Sequence, residues 1–192
     1  MYKSSDAPPA APPAAPPAGP PGSAPGAPAP VDSSPRAASG AASGTAGLSG
    51  DAKLFVDAHN RYRARHCAEP LTWSPVLADV AQRWADTLKA KGCAFDHSNG
   101  NYGENLAAAT VGALTPETVV AMWYDELKGY SFKQPGFSMQ TGHFTQVVWR
   151  ATKQVGCGRA QCNGLDVWVC EYDPPGNWQG QYREQVLPLG CD

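Results

Sequence analysis

The sequence predicts a layered α+β domain over residues 51–192, and three observations carry that prediction. Apolar residues recur at helical spacing through the first half of this stretch, around Leu54 to Tyr62, Leu77 to Leu88 and Val119 to Leu127. Strand-like pieces follow at 143–150, 155–162 and 166–172, with the hairpin signal Asn163-Gly164 between the last two. Each element is apolar on only part of its surface, so each must pack on another layer.

The first helix is expected in SGDAKLFVDAHNRYRARH (49–66), with Leu54, Phe55, Ala58 and Tyr62 on one face. Ser74-Pro75 opens a second helix as N-cap and first residue. Leu77, Val80, Ala81, Trp84 and Leu88 continue it, Lys89 and Lys91 suit its negative end, and Gly92 stops it. A Gly/Asn-rich loop, CAFDHSNGNYGEN (93–105), leads into the small-residue stretch LAAAT. Thr115-Pro116 starts a third helix whose apolar face is Val119, Met122, Trp123 and Leu127. Glu126 falls on the core side of that helix, where a carboxylate needs a partner. In the 143–150 strand, His143 stands at the mouth, Phe144, Val147, Val148 and Trp149 point inward, and Gln146 must find polar partners.

Residues 1–50 are a different material. Runs such as APPAAPPAAPPAGPPG (7–22) cannot bury enough apolar area to offset the entropy of ordering them. They are expected to be a disordered tether with polyproline character, more flexible in SSPRAASGAASGTAGLSG (33–50). All six cysteines and all six tryptophans lie beyond residue 50. A net charge of −2 argues against a nucleic-acid surface. No apolar run approaches the roughly 20 residues of a membrane span. Six cysteines without a Cys-x-x-Cys pair favour disulfides over a metal cluster, and hence export. The expected location is secreted or on the cell envelope, although the start MYKSSDAPPA has no signal-peptide core.

Four groups stand out chemically: His97 in DHSNG, Glu104 in YGEN, Glu126 in WYDELKGY and His143 in GHFTQ. Two neutral imidazoles with carboxylates suit zinc, leaving positions open to water. They suit a metal-free hydrogen-bonded cleft equally well, because there is no His-Glu-x-x-His and the histidines lie far apart in the chain. A serine hydrolase is poorly supported: Gly-x-Ser-x-Gly is absent, and Ser98 has no evident oxyanion hole. His59 and His66, on the first helix, read as structural.

GHFTQVVWRAT, YGENLA, DHS and the later YDPPGN together resemble the CAP superfamily, which comprises cysteine-rich secretory proteins, antigen 5 and plant pathogenesis-related class 1 proteins. The resemblance covers residues 51–192 and is similar to secreted fungal and bacterial members. VWVCEYDPPGNW keeps Cys170, Tyr172, Pro174, Gly176 and Asn177 of the family's second signature, whereas Trp168 and Glu171 are unusual in it and bear on local packing. The resemblance implies a three-layer α-β-α sandwich with a central antiparallel sheet. It also implies that His97, Glu104, Glu126 and His143 form a cleft tetrad, with the two histidines able to hold zinc or another divalent cation. No organic cofactor is implied.

Relatives have been linked to sterol or fatty-acid binding, to protease activity and to signalling through protein contacts. YSFKQPGF (130–137) places Tyr130, Phe132 and Phe137 at the spacing of a caveolin-type motif associated with sterol binding in fungal relatives. The same rings could instead only pin a long loop to the core. The favoured expectation is a monomeric binding protein for a sterol or fatty acid, with no catalytic residue assigned. The alternative is a zinc-dependent hydrolase in which Glu104 or Glu126 is the general base. A cell-envelope interaction module is the third. Resemblance to plant members implies the bridges Cys93–Cys162 and Cys157–Cys170, which leaves Cys67–Cys191 by elimination.

Overall fold

The structure, a computed structural model, describes residues 50–190. The tether expected at 1–50 lies outside them except for Gly50, as does Cys191. In chain order the elements are α1 (Gly50–Ala64), β1 (Thr72–Trp73), α2 (Pro75–Ala90), β2 (Gly103–Thr110), α3 (Pro116–Asp125), a 3-10 turn (Glu126–Gly129), α4 (Gly142–Val147), β3 (Gln154–Cys162), β4 (Leu165–Asp173) and α5 (Tyr182–Gln185).

The helix starts are set by local capping. The Ser74 side chain accepts the Leu77 N–H ahead of Pro75. Thr115 and Thr118 form a reciprocal capping box ahead of Pro116. Gly92, at φ +73°, ends the α2 region in the left-handed conformation that favours glycine.

Four strands form one sheet in the order β1-β3-β4-β2. β2, β4 and β3 pair antiparallel, but β1 joins β3 in parallel, Thr72 opposite Gln154. The sheet is therefore mixed rather than wholly antiparallel, because the chain crosses over through α2 between β1 and the other strands.

Both faces of the sheet are covered. Ala81, Ala85 and Leu88 of α2 pack on Leu106, Ala160, Val167 and Val169. The opposite face buries Trp168, Cys170 and Tyr172 beneath α1, α3 and α4 through Phe55, Val119, Trp123 and Phe144. Alternation along β4 thus feeds two cores, Val167 and Val169 to one and Trp168, Cys170 and Tyr172 to the other. This is a three-layer α-β-α sandwich. Glycine sets the α2-to-sheet distance: a Cβ on Gly156 would lie 2.2 Å from the Ala78 nitrogen, and one on Gly158 2.5 Å from the Gln82 Cα.

Two further sequence expectations fail. Residues 143–150 are not a strand, since Gly142–Val147 is helical. Phe144, Val147 and Val148 are buried at i, i+3 and i+4, a helical spacing that outweighs the strand preference of the β-branched residues. Met122 does not face the core but is exposed, and Val120 and Tyr124 are buried beside Val119 and Trp123 instead. Cys93 is bonded to Cys162 and Cys157 to Cys170. Cys67 is disulfide-bonded as well.

Candidate cleft at the open edge of the sheet

β2 is an edge strand, and its alternating side chains straddle the sheet. Glu104, in phase with Leu106, lies on the α2 side, while Asn105 lies on the α4 side. One His–Glu pair consequently reaches the edge from each face of the sheet.

On the α2 side the loop after α2 brings His97 to Glu104, with Nδ1 to Oε1 at 2.5 Å. The Ser98 N–H donates to both oxygens of the same carboxylate, at 3.0 and 3.3 Å. The hydrogen bond to Glu104 raises the His97 pKa above its ordinary value, and burial opposes it. Burial works to raise the Glu104 pKa, but the hydrogen bonds from His97 and Ser98 hold it below the usual carboxylate range.

On the other side, Thr141 does not cap α4 with its side chain. Glu126 does so from the 3-10 turn after α3. Its Oε2 accepts the N–H groups of His143 and Phe144, both at 3.1 Å, and its Oε1 accepts His143 Nδ1–H at 2.7 Å. The partner that Glu126 requires is therefore the start of α4. His143 also stacks on Trp123, with ring centroids 6.1 Å apart.

Each imidazole donates Nδ1–H to a carboxylate, so each has Nε2 as a lone pair, the second-sphere arrangement common around metal-bound histidine. The donor set fits a divalent cation through His97 and His143, with the glutamates as orienting groups. Among the described residues, no group of three or more His, Cys, Asp or Glu side chains converges as a metal cage, so a cation here would complete its shell with water.

Asn105 joins this edge to the interior. Its Nδ2 donates to the His143 carbonyl and to the Tyr172 hydroxyl, both at 3.2 Å. Tyr172 in turn donates to His59 Nε2 at 2.9 Å, and His59 Nδ1–H donates to the Phe55 carbonyl. Burial lowers the His59 pKa to about 4, which keeps it neutral. His66 is likewise held between the Tyr124 hydroxyl and the Leu187 carbonyl. Both histidines have the structural role expected of them.

His97, Glu104, Asn105, Gly142, His143 and Asn177 line a cleft of about 230 Å³, together with Phe137 and Met139. Glu126 stands behind His143. The three loop aromatics divide between two places. Tyr130 and Phe132 pack on Phe144, and Phe132 stacks on His66. Phe137 alone of the three lines the cleft, 51% exposed, beside Met139 at 76%.

Sequence reasoning did not assign Glu171 or Asn105 to the site. Glu171 sits directly across from Glu104 and is only 1% exposed. Burial first, and then the Glu104 carboxylate, pushes its pKa up to about 8. Its mismatch with the family signature is the sequence signal that could have found it.

A family model described as the cysteine-rich secretory protein family, CAP, matches residues 56–172. Protein PRY2 of Saccharomyces cerevisiae is 45% identical over 137 residues, which span 70% of this chain and 40% of that protein. Pathogenesis-related protein 1A of Nicotiana tabacum is also 45% identical, over 130 residues that span 66% of this chain and 77% of that one. The solved structure of BmVAL-1 aligns with a TM-score of 0.59 at 25% identity, covering 73% of this chain and 84% of that one.

Proposed function

The chain belongs to the cysteine-rich secretory protein (CAP) family, and from that premise we propose that it is an exported protein that binds a sterol or another lipid at the 128–142 loop beside the His/Glu cleft. The observation that carries the reading is the exposure of Phe137 and Met139 on the cleft wall, next to Gly142 and His143. Tyr130 and Phe132 hold the start of that loop on Phe144, just past its end, so the two exposed apolar groups are presented from an anchored frame. Covering them with a ligand's hydrocarbon removes apolar surface from water, worth on the order of 1.5–3 kcal/mol for each side chain fully buried. Polar groups at the inner end, Asn105, Asn177 and the two imidazoles, can orient a hydroxyl or carboxylate.

The test is equilibrium binding of cholesterol, ergosterol and a long-chain fatty acid to wild type and to Phe137→Ala/Met139→Ala. Lost binding with an unchanged circular-dichroism spectrum supports the reading. Retained binding in that variant overturns the site.

His97 Nε2 and His143 Nε2 would hold zinc or another divalent cation, which would supply a positive centre in the cleft for an anionic or hydroxyl head. Calorimetry should show zinc uptake by wild type and none by His97→Ala/His143→Ala. Hydrolysis ranks below binding because the hydrogen bonds that Glu104 and Glu126 accept orient the imidazoles and the neighbouring N–H groups, which is the role of positioning groups.

A further inference from the structure

A second cleft, of about 610 Å³, lies between the loop at Lys133 to Gly136 and the segment from Gln179 to Arg183. Two cations line it and no carboxylate does. Neither Lys133 nor Arg183 has an ion-pair or hydrogen-bond partner among the described residues. Tyr182 is also part of the wall. Its side chain is 2% exposed, and its hydroxyl is buried without a hydrogen-bond partner among the described residues. Burial raises the pKa of that phenol to about 12, so it is a neutral donor at physiological pH. Gly136 and Gly180 lie on the same wall, and a Cβ at either would meet nothing within 4 Å, so the backbone there is open to close approach.

We propose that this cleft binds a phosphate group, with Arg183 and Lys133 as charge partners and the open backbone at Gly136 and Gly180 allowing its close approach. Arg183 offers a planar fork matched to two phosphate oxygens, and Lys133 adds a point charge from the opposite wall. Two unpaired cations on walls that carry no carboxylate are donors that phosphate oxygens would satisfy. The phosphate could come from a lipid headgroup or from a free phosphate. This cleft borders the same 128–142 loop as the lipid site but shares none of the residues that line the His/Glu cleft.

The test uses the full chain in two arms. In the first, inorganic phosphate is titrated at constant ionic strength while the amide resonances of Gly136 and Gly180 are followed. In the second, flotation compares phosphatidylcholine vesicles with and without phosphatidic acid. Saturable shifts at the two glycines, weakened about tenfold or more in Lys133→Ala/Arg183→Ala, support the proposal with free phosphate as a sufficient ligand. Binding only to phosphatidic-acid vesicles, with the same dependence on Lys133 and Arg183, supports it with a headgroup as the source. Absence of both overturns it. So does equal weakening in Lys89→Ala/Lys91→Ala, which would reduce the effect to general surface charge.

Discussion

Glu104 and Glu171 face each other across β2 and β4, one a carboxylate held down by His97 and Ser98, the other a buried acid held protonated. Two like charges on one strand pair, one of them out of water, cannot both be ionised cheaply, so the pair keeps one proton. Glu171 is the partner that keeps it because it has the deeper burial, at 1% exposure. The Glu104–Glu171 pair therefore carries one negative charge near neutral pH rather than two.

Replacing Glu171 with Gln should flatten the pH dependence of stability. The Glu171 pKa rises to about 8 in the folded state, so between its unfolded value near 4.5 and 8 the native state holds a proton that the unfolded state releases. Stability falls as pH rises through that window, by at most about 1.4 kcal/mol per unit. Urea unfolding of both proteins at pH 5 and pH 8 checks this. Wild type should lose more stability than Glu171→Gln, and parallel losses would contradict the assignment.

His97 should titrate above its ordinary value, since the hydrogen bond to Glu104 raises its pKa. The stabilisation from this pair is fully present below the unfolded histidine value and is lost as pH rises through the folded one. Following the His97 ring protons by NMR should give a midpoint above 6.5, as the Glu104 bond requires. The Glu104→Gln variant should bring that midpoint down. An unmoved midpoint in the variant would remove Glu104 as the cause.

How much of this could be read in the sequence depends on how far each signal travels along the chain. α2 and α3 were legible because Ser74-Pro75 and Thr115-Pro116 place the cap beside the helix it starts. β3 and β4 were legible through the Asn163-Gly164 turn between them. β2 was not, because Ala107, Ala108 and Ala109 have little strand preference and the strand exists through pairing with β4 some sixty residues later. α4 read as a strand because its cap is Glu126, in a different element. Of the site, His97, Glu104, Glu126 and His143 were legible only as a resemblance, for nothing in their spacing pairs them. The structure groups them two by two rather than as four converging ligands. The Glu104–Glu171 pair depends on strand register and had no local signature.

Arg63 should prove to be a large single contributor to stability. Its guanidinium, buried under α1, donates to the carbonyls of Glu69, Val147, Trp149 and Thr152, and so ties α1 to the segment that follows α4. Burial lowers its pKa to about 10, which leaves it charged at neutral pH. Arg63→Met keeps much of the volume but strands four carbonyls, at a cost of roughly 3 kcal/mol or more. Arg63→Lys should recover little, because one ammonium cannot span the four acceptors. Thermal unfolding should show a fall of roughly 10 °C for Arg63→Met. A melting temperature close to wild type would mean that water satisfies the carbonyls instead.

The last expectation concerns the bridge from Cys67. Cys93–Cys162 and Cys157–Cys170 tie the sheet to the loop after α2 and β3 to β4. Cys67 lies just beyond α1 at φ +48° and is itself disulfide-bonded, while Cys191, the pairing expected from the sequence, lies outside the described residues. His66 next to it donates Nδ1–H to the Leu187 carbonyl at 2.6 Å, and Gly190 N–H donates to the Arg65 carbonyl at 3.2 Å. The chain just before Cys191 therefore already runs alongside the end of α1. A bridge between 67 and 191 would close nearly the whole domain into one loop, for which chain entropy gives roughly 4–5 kcal/mol as an upper limit. Non-reducing peptide mapping should recover a Cys67–Cys191 peptide, and the Cys67→Ser/Cys191→Ser variant should melt lower than wild type. Because the two other bridges and the buried contacts of α1 remain in that variant, it should still fold. A mapped link from Cys67 to another chain in place of Cys191 would show that the residue joins molecules, and an unchanged melting temperature would show that the bridge constrains an unfolded state already compact at its ends.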